Sequence, residues 1–173
     1  MACSYTLAGI TRDCDVNAGG IKRVLIASYE DVVSYEVDGT THLVDVITMD
    51  TGKKFKEYYQ RPNVANYAGT PQFNEDGDYT GEDGILTLVF GRMDTTKRLE
   101  VEALSKQGLW VIYEDKNGKF WALGLDNAVT RNGGSTASGT ATTDRNGYEV
   151  QLHSSDNGSP TEVDSTIIAG LLA

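Results

Sequence analysis

The chain has 173 residues, enough for one domain with a core of its own. Hydrophobic residues at 39% and only 3 prolines exclude a disordered or linker protein. No run approaches the ~20 apolar residues of a membrane helix, and 25 acidic against 15 basic residues leave a net charge of −10, which opposes general binding to nucleic acid or an anionic membrane.

The first residues, Met1 to Gly9, lack the basic start and apolar run of a signal peptide, so export by the usual routes is not expected. Cys3 and Cys14 are too few for a disulfide scaffold; they read as reduced thiols, with a Cys3–Cys14 bridge pinning an N-terminal loop as the alternative. Glycines then punctuate short runs rich in Val, Ile, Thr, Tyr and Phe, which predicts a mainly β chain. Ile21–Ser28 is the first strand. Val32–Val37 and Thr41–Met49 flank Asp38-Gly39 and predict a hairpin with a tight turn, His42 lying in its second strand.

Lys53–Ala68 reads as one long extended stretch, answered by Ile85–Met93 to make a long hairpin. Its tip is Gly69–Gly84, sixteen residues with five acids, Glu75, Asp76, Asp78, Glu82 and Asp83, and no base. Such a tip predicts a flexible loop that becomes ordered against a partner. Along Ile85–Gly91 the alternation sets Leu86, Leu88 and Phe90 on a core face and Ile85, Thr87, Val89 and Gly91 on the other. One helix of about fourteen residues follows, capped by Asp94 or Thr95 and stopped at Gly108 in a left-handed conformation; Lys97 and Arg98 sit against the macrodipole in its first turn. Leu109–Asp115 and Lys119–Leu125 form a hairpin through Asn117-Gly118, with Trp110 and Trp121 as core or interface anchors. Asn127–Thr143 reads as a loop or weak strand, and Asn146-Gly147 turns into a strand at Tyr148–His153. The apolar Ile167–Ala173 is either docked in the core or used as an arm against a neighbour.

Chemistry is sparse. Neither His42 nor His153 has a nucleophile motif beside it, and no phosphate loop or dinucleotide fingerprint is present, so neither an enzyme nor a cofactor is indicated. Asp13, Asp15 and Asn17, like the acidic tip, lack the ligand spacing of a calcium loop, and no metal site is assigned. Asn157-Gly158-Ser159 has the form of a glycosylation acceptor but reads as a turn. Exposed aromatics at Tyr58, Tyr59, Tyr67 and Tyr79 would suit a carbohydrate-binding β-sandwich.

Several segments together resemble virion structural proteins of tailed phages of Bacteroidetes hosts. They are Cys3-x-x-Thr6 through Gly9-Ile10-Thr11-Arg12-Asp13-Cys14 with Asn17 and Gly19-Gly20-Ile21, Met93 to Leu99, Asp115 to Trp121 with Leu123-Gly124, Asn146-Gly147-Tyr148, and Glu162 to Gly170. The order of strands, long hairpin, helix and further strands is similar to the phage tail tube (major tail) protein family. That resemblance implies two packed antiparallel sheets, a β-sandwich or barrel, with one flanking α-helix. It implies one tail tube-like domain over 1–173, with arms at about 1–20 and 155–173. It further implies a homo-oligomer of stacked, hexameric rings, made in the bacterial host cytoplasm and resident in the virion. Other phage tail proteins would be partners, genomic DNA would pass without specific binding, and no membrane or cofactor would be involved. Phe55, Tyr59, Thr87, Val89 and Gly91 would lie at the subunit interface or inner barrel, and Glu75, Asp76, Asp78, Glu82 and Asp83 in an inter-ring acidic loop. The alternatives are another virion ring, connector or tail terminator protein, or the carbohydrate-binding module.

Overall fold

The computed structural model describes residues 7–12 and 14–172. The described residues before Gly20 carry no regular secondary structure, and Ala18 N–H donates to Asn117 Oδ1 at 2.8 Å. Leu7, Ile10 and Val16 among them are almost wholly exposed. Cys14 is exposed, and the pairing raised for Cys3 and the carboxylate at Asp13 lie outside the described residues.

The strands are β1 (Ile21–Ser28), β2 (Val32–Val37), β3 (Val44–Met49), β4 (Lys56–Tyr59), β5 (Asn66–Phe73) and β6 (Tyr79–Gly91). Helix α1 (Thr95–Leu104) follows, then β7 (Leu109–Asp115), β8 (Phe120–Leu123), β9 (Thr130–Ala137), β10 (Gly147–Asp156), β11 (Thr161–Val163) and helix α2 (Ser165–Leu171). Seven strands form one sheet in the order β2-β3-β11-β8-β7-β1-β4, and four form a second in the order β5-β6-β10-β9. Neighbours are antiparallel except β11 and β3, which pair in parallel at Val163↔Val44. The fold is mainly β with two sheets, as expected. It is an open sandwich rather than a closed barrel.

Strands β1 and β7 pair from Ile21↔Asp115 to Ser28↔Leu109 at the middle of the large sheet. Their near-continuous apolar runs serve two cores, because successive side chains point to opposite faces. Val24, Ile26, Leu109, Val111 and Tyr113 face the four-stranded sheet, where they meet Leu86, Leu88, Val150 and Leu152 with Val101 and Leu104 of α1. Leu25, Ala27, Trp110 and Ile112 face the other way, onto Val44, Phe55, Val163, Ile168 and Leu171. Trp110 is 2% exposed, with Phe55 edge-on at 6.0 Å and Tyr35 tilted at 6.1 Å. Thus α2 covers the second core: the apolar C-terminal stretch is docked in the chain's own interior and is not a free arm. Asp164 caps it by accepting from Thr166 N–H.

Other local expectations are revised for identifiable reasons. The β2–β3 hairpin forms, but its connection runs from Asp38 to Leu43, with Asp38 Oδ1 accepting from the Thr40 and Thr41 N–H groups. The positive φ falls on His42, at 58°, which therefore sits in the turn and not in the strand. Helix α1 is shorter than expected. Asp94 caps it at Lys97 N–H and pairs with Lys97 Nζ at 2.8 Å, which offsets the unfavourable position of that lysine. Gly108 is no left-handed stop; a Cβ there would lie 2.8 Å from the Ala128 Cβ, so it permits close packing instead. Lys53–Ala68 does not run as one strand. Pro62 withdraws a donor, Asn63 takes φ 63°, and the turn they make carries the chain from β4 in one sheet to β5 in the other.

Near the β4 edge the Glu114 carboxylate is buried, 5% exposed, and accepts from Lys22 Nζ at 2.8 Å and from Arg23, which also holds Glu57. Burial alone would raise the Glu114 pKa, but the hydrogen bonds from Lys22 and Arg23 outweigh it and hold the carboxyl below its ordinary value. That depressed value gives stability that is complete above the unfolded carboxylate pKa and is lost as pH falls through the folded one. Glu114→Gln should therefore flatten the acid limb of a stability-against-pH curve measured by denaturant titration. Trp110→Ala should cost about 3–5 kcal/mol in the same measurement, while Leu99→Ala on the exposed side of α1 should change stability by about 0.5 kcal/mol or less.

Candidate assembly surface

The four-stranded sheet has one face on the core and one in solvent. Strand β10 pairs along its full length with β6, from Gly147↔Gly91 to Asp156↔Glu82, and alternation then sorts their side chains. Leu86, Leu88, Tyr148, Val150 and Leu152 are buried. Phe90 is half-buried between Tyr58, at 6.0 Å, and the sandwich core. The solvent face carries the cross-strand row Asn66–Thr87–Gln151–Gly133, of small and polar groups, and the row Ala68–Ile85–His153–Thr130, in which Ile85 is an exposed apolar side chain. Its carboxylates have basic neighbours: His153 Nε2 lies 3.5 Å from Asp83, and Arg145 pairs with Glu149 at 2.5 Å. Among the described residues, β5 and β9 have no strand on their outer edges.

The residues expected at an interface separate into three places. Thr87 and Val89 share the solvent face of β6, and Gly91 ends that strand. Tyr59 is 66% exposed on β4, the edge of the other sheet. Phe55 is fully buried against Trp110, because its N–H donates to Leu171 O and its backbone bridges to Leu172; it is a core residue, not an interface one. The structure brings β4 close to β6 in a way the sequence did not signal. Strand β5 stops pairing at Asn66↔Thr87, and the Val89 N–H beyond it donates to Gln60 Oε1 at 3.0 Å.

The acidic segment is not a sixteen-residue loop. Strands β5 and β6 continue into it, through Thr70↔Asp83 and Gln72↔Gly81 to Phe73↔Tyr79, leaving only Asn74–Asp78 as the turn. Asn74 orders that turn: its Oδ1 accepts from Asp76 N–H at 3.0 Å and Asp78 N–H at 2.8 Å, while Gly77 takes φ 84°. Glu75, Asp76 and Asp78 project from it into solvent. Phe73 and Tyr79 flank it as an edge-on pair at 5.9 Å, 62% and 49% exposed. Asp83 lies on the sheet face. Glu82 turns inward and accepts from Tyr67 at 3.0 Å and Ser159 at 2.5 Å, so it belongs to a half-buried polar cluster. Burial and then the hydrogen bond to Glu82 push the Tyr67 hydroxyl well above the ordinary phenol range. Gly84 makes room for it, since a Cβ there would lie 2.2 Å from the Tyr67 oxygen.

Comparison with known proteins finds no matching family model, curated protein or solved structure. Among the described residues no group of three or more His, Cys, Asp or Glu is placed to hold a metal ion. Of the aromatics considered for sugar binding, Tyr58 donates to Glu100 and Tyr67 stacks on Tyr113 at 5.4 Å; Tyr59 and Tyr79 stand apart on different sheets. They do not form one platform. If Asn74 orders the hairpin tip in the isolated chain, Asn74→Ala should speed hydrogen exchange at the Asp76 and Asp78 amides at least tenfold while leaving the β6–β10 amides protected.

Proposed function

We propose that the protein is a phage virion structural protein, a tail tube subunit that assembles into stacked homohexameric rings. The observation that carries this reading is the four-stranded sheet with two open edges and a mainly polar solvent face on which Ile85 and Val89 are the apolar members. Open edges are an aggregation hazard unless they are paired, and lateral pairing of β9 with β5 of the next copy removes them without covering the polar face.

Six such sheets give a 24-stranded wall. With strands about 4.8 Å apart and tilted by 35–45°, its backbone diameter would be on the order of 50 Å. That leaves a passage wide enough for a DNA duplex after side chains are placed. Thr87, Val89, Gln151 and Ser135 would line it, groups that offer no cationic grip on phosphate, and the acidic balance of the chain opposes retention of DNA. Helix α1 beside the sandwich and the resemblance in element order support the same reading, while the second helix, α2, covers the far face of the larger sheet.

Electron microscopy of the purified chain at high concentration tests it: rings or tubes are expected, and a strict monomer at every concentration, with no tubes in virions, would overturn it. Two substitutions test the faces. Leu88→Asp buries an unpaired charge and should abolish folding, whereas Thr87→Asp should fold and assemble like the parent. Assembly by Leu88→Asp beside failure of Thr87→Asp would show that the sheet faces the other way.

A further inference from the structure

Strand β6 joins two chemically opposite ends of the molecule. At its start is the tip Phe73–Tyr79, with exposed Glu75, Asp76 and Asp78 and the exposed aromatic pair. At its finish, the Arg61 guanidinium lies beside Gly91, where a Cβ would be 3.9 Å from the Arg61 Cζ, and Arg92 follows immediately with φ 63°. Asp94 and Glu149 at this end are taken by Lys97 at 2.8 Å and Arg145 at 2.5 Å. Arg92 contributes to the field on Asp94, whose pKa is lowered first by the Lys97 hydrogen bonds. Among the described residues Arg61 and Arg92 have no carboxylate in ion-pair contact, and they are exposed together with Val64 and Met93. The tip acids likewise have no basic partner in contact.

The geometry points to a second copy of this chain as the partner of both ends: the acidic, aromatic tip of one copy docks on the Arg61/Arg92 rim of the next. A 13-residue strand at about 3.4 Å per residue separates the two ends by roughly 40 Å, so they cannot satisfy each other within one chain. Charges are complementary, and each end adds exposed apolar surface, Phe73 and Tyr79 against Val64 and Met93. The contact is head-to-tail, so it does not close on itself in a pair and propagates along the strand direction. It rests on the reading of the chain as a self-assembling subunit and specifies which residues would stack one ring on another.

The test compares the parent with Arg61→Glu/Arg92→Glu, Glu75→Lys/Asp76→Lys, and the combined four-site variant, by sedimentation velocity and electron microscopy at low and high salt. Each two-site reversal should weaken end-to-end association about 100-fold or more, because like charges then meet at the contact, and the four-site variant should restore it. Long tubes should shorten to single rings. Circular dichroism melts confirm folding, and Arg61→Gln/Arg92→Gln serves if a reversal unfolds the chain; it should weaken stacking less than the reversal does. Assembled parent with tubes unaffected by either reversal, or a folded four-site variant that does not stack, would overturn this docking alone. A parent that never assembles would overturn it together with the functional reading.

Discussion

The two-sided burial of β1 and β7 is the constraint on which the molecule depends. Four consecutive residues of β1, Val24 to Ala27, are buried, and so are six of the seven residues of β7. A strand pair this apolar needs cover on both faces. The four-stranded sheet with α1 supplies one cover; α2, with the strand ends around it, supplies the other. The four-stranded sheet is left with an open face, on which Thr87, Gln151, Thr130 and Ser135 predominate beside Ile85 and Val89. The division of labour between a doubly buried sheet and a singly buried one is what separates stability from surface chemistry here.

Polar groups near the sheet edges are satisfied by long-range partners. Glu114 has Lys22 and Arg23, Glu82 has Tyr67 and Ser159, and Asp156 accepts from the backbone of Gly124 and Asp126. Each contact joins segments far apart in sequence. Glu114, the buried one among these carboxylates, would be costly without its partners, so its contacts favour one arrangement of strands over near alternatives. Among the exposed charges without an ion-pair partner, Glu75, Asp76 and Asp78 lie at one end of β6 and Arg61 and Arg92 at the other, too far apart to answer each other.

Local rules read much of this from sequence. The bounds of β1, β2 and β7, the Asp94 cap, the Asn117-Gly118 turn with Gly118 at φ 81°, and the alternation of Leu86 and Leu88 all follow from side-chain periodicity and turn chemistry. What escaped depends on partners. Gly69–Gly84 has the composition of a loop, yet β10 and mutual pairing hold it as strand. Thr130–Ala137 likewise has few strand formers and is a strand because β10 offers its edge. Ser165–Leu171 shows too short an apolar pattern to declare a helix, and the packing of Ile168 and Leu171 decides it. For the candidate surface, Thr87 and Val89 could be placed by alternation, whereas the positions of Phe55, Glu82 and Gln60 required the tertiary structure.

The second core also sets an order of events during synthesis. Trp110, Phe55 and Ile112 are made well before Val163, Ile168 and Leu171, the residues that cover them. Until those last residues have emerged, a growing chain can assemble its first sandwich core while one face of its largest sheet remains bare. A nascent chain in that condition is sticky. Translation through the Thr161–Leu171 segment therefore ends that exposure, because it delivers the side chains that close the second core.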